Sequence, residues 1–191
     1  MKLKIGVMGS ASGRLPAPIK RIAYQLGKSI AEADCVTVTG ACPGFPFEAA
    51  RGAQEAKGLV VGISPGLSLW EHENKYQSPT EFHDVLIFTG SGLMGREVVN
   101  IRTSDIIVII GGRLGTLGEF SIAYDEGKLI GVLLDTGGIT EDIKHIVAII
   151  RKRTRARVVY DKNPERLIKR LLIYYQKEHF KHPSCFHADQ G

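Results

Sequence analysis

The sequence predicts an α/β fold: a doubly wound, mostly parallel, Rossmann-like sheet with helices on both faces. Three observations predict it. Seven short apolar segments alternate with segments of helical periodicity, the pattern of right-handed βαβ crossovers. One of them, residues 105–110 (DIIVII), is an unbroken apolar run after its aspartate, as expected of a strand covered on both faces. Glycine-rich turns at 9–13, 40–44 and 111–116 follow three of the strands, and ligands of such sheets bind beyond the carboxyl ends of strands.

Each element has its own signal. Residues 3–8 (LKIGVM) read as a strand that ends in Gly9-Ser10-Ala11-Ser12-Gly13. Pro16 and Pro18 suit a helix start, and Ile19, Ile22, Ala23, Leu26 and Ile30 recur at helical spacing. The β-branched run 35–39 (CVTVT) is the second strand, broken by Gly40-Ala41-Cys42-Pro43-Gly44 before a helix over 47–57. Residues 59–63 (LVVGI) form the third strand. The polar stretch 67–83 lacks periodicity and is predicted as a long loop, a kind of segment that is often functional. Residues 84–88 are a strand, 93–103 a helix, 105–110 a strand, and the turn 111–116 opens a helix that ends near Gly127. A strand at 129–134, a helix at 139–152, a short strand at 157–160 and a helix at 163–179 complete the order. Residues 1–180 are expected to form a single nucleotide-binding domain and 181–191 a polar, mobile tail.

Composition excludes several classes. With 43% hydrophobic and 24% charged residues in 191, the chain matches ordinary globular usage and not disordered, collagenous or coiled-coil sequence. No apolar run approaches the roughly 20 residues of a membrane span, and the N-terminus lacks a signal-peptide pattern, so a soluble cytoplasmic protein is expected. Cys35, Cys42 and Cys185 are odd in number and fit no metal spacing, which predicts reduced thiols. The net charge of +5 resides at the C-terminal end: residues 151–181 hold eleven Lys/Arg against three Asp/Glu, the rest fourteen against seventeen. That distribution argues against a general nucleic-acid surface. The cluster 151–157 (RKRTRAR) is read as a solvated helix end, since no aromatic platform interleaves its charges. His179, His182, Cys185 and His187 fit no known finger spacing, so no metal site is expected.

The chemistry concentrates at the glycine turns. A turn that opens a helix presents unpaired N–H groups and a positive dipole end to an anion. No Gly-Lys-Ser/Thr follows a glycine loop, and Ile110 stands where the first glycine of a dinucleotide fingerprint belongs. ATP hydrolysis and nicotinamide binding are therefore discounted. Gly9, Ser10, Arg14, Gly40, Gly44, Gly111, Gly112, Gly115 and Thr116 are the candidate phosphate and nucleotide contacts. Glu48, near a predicted strand end, is a candidate contact for ribose hydroxyls and is at least as readily explained as an acid at a helix start.

The segment 90–127 (GSGLMGREVVNIRTSDIIVIIGGRLGTLGEFSIAYDEG) resembles the Lonely Guy family of nucleoside-monophosphate phosphoribohydrolases, the "lysine decarboxylase-like" proteins. Gly111-Gly112-Arg113-Leu114-Gly115-Thr116-Leu117-Gly118-Glu119 is similar to that family's Gly-Gly-x-Gly-Thr-x-x-Glu turn, and Arg96 precedes Glu119 by the family's interval. Ile110 replaces a proline, Glu97 a lysine and Gly118 an acid, which places the chain in a divergent branch near the molybdenum-cofactor carrier proteins. The resemblance implies Arg96 and Glu119 as the catalytic pair. Glu119 would stabilise an oxocarbenium-like ribose or activate water, and Arg96 would hold phosphate or base. It also implies a homo-oligomer, dimer or tetramer, through the apolar faces of 93–103 and 163–179. The expected reaction is hydrolysis of a nucleoside 5′-monophosphate to free base and ribose 5-phosphate, with no cofactor and no metal. The alternative is a non-catalytic carrier or sensor of a phosphorylated nucleotide or molybdopterin-type cofactor.

Overall fold

A computed structural model describes residues 1–150 and 152–177 of the chain. Seven strands form one sheet: β1 (Lys4–Gly9), β2 (Val36–Thr39), β3 (Val60–Ser64), β4 (Val85–Phe88), β5 (Ile106–Ile110), β6 (Leu129–Leu133) and β7 (Arg157–Asp161). Every pairing is parallel, in the order β4-β3-β2-β1-β5-β6-β7. The helices are α1 (Ala17–Glu32), α2 (Phe45–Glu55), α3 (Gly92–Thr103), α4 (Leu114–Asp125), α5 (Ile143–Ile150) and α6 (Pro164–Lys177).

The sheet sorts its side chains by the period of two that a strand imposes. On β5, Ile106, Val108 and Ile110 join Leu26, Ile30, Phe45 and Leu167 on the face covered by α1, α2 and α6. Ile107 and Ile109 join Ile101, Phe120 and Ile143 beneath α3, α4 and α5. All five β5 residues are fully buried, and each such side chain contributes about 1.5–3 kcal/mol of transfer free energy. The helices α1 and α2 cross with backbone against backbone. A β-carbon on Gly27 would lie 1.8 Å from the Ala49 carbonyl oxygen, and one on Gly52 would lie 2.0 Å from that of Tyr24.

Two predicted segments are divided differently from expectation. The loop 67–83 contains one π-helical turn, Glu71–Lys75. The helix expected over 139–152 is a 3₁₀ turn, Gly138–Glu141, followed by α5. Gly137 and Gly138, both at positive φ, turn the chain into the 3₁₀ segment, a conformation open to glycine, and Asp142 separates that segment from α5. The expected tail 181–191 and the cluster His179, His182, Cys185 and His187 lie outside the described residues.

Candidate functional site

The strand order reverses at β1. The chain runs outward through β2, β3 and β4, then returns with β5 on the other side of β1. Loops leaving β1 and β5 therefore diverge at their carboxyl ends, which opens a crevice. A cavity of about 280 Å³ occupies this crevice, lined by Gly9, Ser10, Gly40, Cys42, Arg96, Glu97, Arg113, Gly115, Thr116 and Glu119 among others. A larger surface groove of about 660 Å³ runs between α1 and α6. It carries none of the candidate residues, so the smaller cavity is the one with chemistry.

Three loops meet around the cavity, and several glycines serve that meeting. The β2 exit glycine, Gly40, makes room for Arg96: a β-carbon there would lie 1.7 Å from Arg96 Nη1. Arg96 Nη1 donates to the Gly40 carbonyl in a short hydrogen bond. Gly44 lets the second loop touch the first, since its β-carbon would meet the Ser10 carbonyl oxygen at 2.1 Å, and the Phe45 amide donates to that oxygen at 2.9 Å. The Gly111 amide donates to Thr136 Oγ1 at 2.9 Å, and the Gly112 amide donates to Ser10 Oγ at 2.8 Å. Gly44, Gly111, Gly112 and the exposed Arg14 stand outside the cavity lining.

Donors for an anion come from α4. That helix begins after Arg113 with no side-chain cap, and Gly115 and Thr116 of its first turn line the cavity. Its dipole end and first amides face the crevice, the arrangement that favours an anion. Arg113 lines the same wall and hydrogen-bonds Ser12 Oγ. The turn carries two residues, Arg113 and Leu114, between Gly112 and Gly115, one more than the single residue of the pattern it resembles.

The opposite wall is α3. Arg96, Glu97 and Asn100 are all buried. Arg96 is 7% exposed, and its Nε has no hydrogen-bond partner, nor has Asn100 Oδ1. Burial pushes the Glu119 carboxyl up to about 7. Arg96 opposes the rise, the neighbouring Glu97 adds to it, and a hydrogen bond from Asn100 also opposes it. Burial likewise raises Glu97, against the pull of Arg96. Cys42, half-buried on the same wall, has its thiol pushed up by burial. The cavity thus holds two guanidinium groups, two carboxyls and one helix N-terminus.

The candidate residues Gly9, Ser10, Gly40, Arg96, Gly115, Thr116 and Glu119 come together here. Sequence reading passed over Cys42, Pro46 and Leu93 as lining residues, and treated Glu97 only as a departure from a pattern. A signal was present for Glu97: it neighbours Arg96 on a helix that also carries Asn100, one turn beyond Arg96. Glu48 lies elsewhere, paired with Arg51 at 2.8 Å. No group of three or more His, Cys, Asp or Glu able to hold a metal occurs among the described residues.

A model of the SLOG cluster4 family matches residues 2–168. An uncharacterised protein of Archaeoglobus fulgidus is 37% identical over 134 residues, covering 70% of this chain and 82% of its own length. The molybdenum cofactor binding protein of Rippkaea orientalis superposes with a TM-score of 0.73 at 28% identity, over 91% of this chain and 97% of that one. The molybdenum cofactor carrier protein of Chlamydomonas reinhardtii gives 0.70 at 28% identity, over 91% and 99%.

Proposed function

The chain belongs to the SLOG cluster4 family, and from that premise we propose that its cavity carries or senses a phosphorylated small molecule, a nucleotide or a molybdopterin-type cofactor. One observation carries the reading: the buried Arg96 lines the cavity with an unpartnered Nε. An orphaned guanidinium donor is costly to bury unless a ligand supplies its acceptor. The uncapped start of α4 and Arg113 offer a second set of donors to the same anion. Solved neighbours of the same shape are, by name, binding and carrier proteins for the molybdenum cofactor.

Hydrolysis is the second reading, and the Glu119 carboxyl at about 7 favours it. A group that titrates near neutrality suits general acid–base work on a glycosidic bond. Against it stand Ile110 and Gly118, where the resembled family has a proline and an acid, and the added residue in the turn. One experiment separates the two. The purified protein is titrated with GMP, AMP, neopterin monophosphate and ribose 5-phosphate by calorimetry, and each mixture is then resolved for free base. Saturable binding without free base, weakened tenfold or more (about 1.4 kcal/mol) by Arg96→Ala, is the expected result. Free base whose release stops in both Arg96→Ala and Glu119→Ala would establish the hydrolase instead. Absence of any binding would remove both readings.

A further inference from the structure

The cavity is not simply an anion trap. Its formal charges cancel, with Arg96 and Arg113 set against Glu97 and Glu119. A ligand that offered only phosphate would leave the Glu97 carboxylate without a donor. The ligand that fits is bipolar, with an anionic end and an end rich in N–H donors.

Glu97 is the residue placed to take those donors. It is 5% exposed, and no hydrogen bond or ion pair to its carboxylate occurs among the described residues. It lines the cavity, and its carboxylate rests in a notch on α4 made by two glycines. A β-carbon at Gly115 would stand 3.1 Å from Oε1, and one at Gly118 would stand 3.0 Å from Oε2. The notch holds both oxygens in place, and Leu93 and Pro46 supply apolar cavity walls for a flat ring. A carboxylate with two fixed oxygens matches two parallel N–H donors, as in its pairing with a guanidinium fork. Among heterocycles of phosphorylated cofactors, that donor pair occurs on the 2-amino-4-oxopyrimidine edge, where a ring N–H sits beside an exocyclic amino group. Guanine and pterins share this edge. Adenine lacks it, and hypoxanthine lacks the amino group.

We propose that Glu97 reads the 2-amino-4-oxopyrimidine edge of the ligand, so that the site selects guanine-type nucleotides or pterin phosphates over adenine-type ones. The proposal rests on the phosphorylated-ligand reading above and adds the class of ring. The mismatch of a missing donor is amplified because a buried carboxylate is then left unpaired.

The test is a set of dissociation constants for GMP, IMP, AMP, neopterin monophosphate and ribose 5-phosphate. GMP or neopterin monophosphate should bind about tenfold or more tightly than IMP and AMP, and whichever of the two is tighter identifies the ring. In Glu97→Gln, the ratio of GMP to AMP affinity should fall to within about twofold of unity. Gly118→Ala, which crowds Oε2 while favouring the helix, should lower the same ratio without unfolding the protein. Equal binding of GMP, neopterin monophosphate, IMP and AMP, with ribose 5-phosphate still bound, overturns this inference and leaves the phosphorylated-ligand reading standing. A GMP preference that survives Glu97→Gln also overturns it. Failure of every probe, ribose 5-phosphate included, overturns both.

Discussion

Glu119 shows how a single side chain links site and stability. Its carboxyl titrates near 7 when folded, against an ordinary value of 4.5. Between those values the folded chain holds a proton that the unfolded chain has lost. Stability therefore falls as pH rises from about 4.5 to about 7, and the full penalty applies above the folded value. Glu119→Gln, which mimics the protonated form, should raise unfolding free energy by about 2–4 kcal/mol at pH 8 and leave it nearly unchanged at pH 4. Urea unfolding at the two pH values measures the difference, and equal effects at both would refute the assignment. The same residue was legible in the sequence only through its likeness to the resembled family's glycine turn and its interval from Arg96, since an acid in a first helical turn is by itself common. For the neighbouring Glu97 only its place beside Arg96 was legible: its seat against Gly115 and Gly118 of α4 is a contact between two helices that no linear spacing reports.

At the scale of elements, the segment between β3 and β4 carries the least expected structure. Two imidazoles tie it to strand ends. Ser64 Oγ accepts the Gly66 amide and donates to His72 Nδ1 at 2.9 Å, while His72 Nε2 donates to the Pro79 carbonyl at 3.0 Å. Thr39 Oγ1 accepts the Ala41 amide and donates to His83 Nε2 at 3.0 Å, while His83 Nδ1 donates to the Glu81 carbonyl at 2.9 Å. These roles follow from the network, which leaves each ring one donating nitrogen. Burial lowers the His83 value from 6.5, with His72 adding to the fall and the carbonyls and Asp84 opposing it. A depressed histidine binds fewer protons folded than unfolded, so its contribution is present above 6.5 and is lost as pH falls through the folded value. Amide exchange across 66–84 should slow less between pH 7 and pH 5 than the intrinsic base-catalysed reaction does, an excess of opening over that trend. His83→Gln should remove that excess, and an unchanged pH profile in the variant would argue against the clasp. Strand and helix order was readable here from periodicity, whereas these clasps were not, because each joins a strand end to a histidine 8 or 44 residues away. The crossing of α1 and α2 at Gly27 and Gly52 escaped for a related reason: helical spacing showed the apolar stripe but not that two backbones touch.

For the whole molecule, the all-parallel order places the chemistry at the β1/β5 divide and leaves β4 as one edge of the sheet. That edge is apolar. Ile87 is 43% exposed and Phe88 37%; Trp70 at 68% and, on α3, Leu93 at 57% and Met94 at 69% are exposed as well. Edge strands of monomeric proteins are normally guarded by charge or proline, and concentrated exposed apolar side chains mark an interface. The sequence reading assigned oligomer contacts to the helices 93–103 and 163–179. Both helices carry exposed apolar side chains, Leu93 and Met94 on α3 and Ile173 on α6, and β4 and the segment before it carry others. A second copy of this chain is the expected cover, because Leu93 also lines the cavity and a self-association there would stand beside the site. Light scattering at micromolar concentration should give a mass at least twice 20.9 kDa. The pair Ile87→Lys and Met94→Glu should return the monomer mass with the fold retained. A wild-type monomer across that range would mean the edge is covered by something other than a second copy. Because α3 carries Arg96 and Glu97 as well as Leu93 and Met94, losing the partner should also weaken ligand binding, and a monomeric variant with wild-type affinity would show that the cavity is complete within one chain.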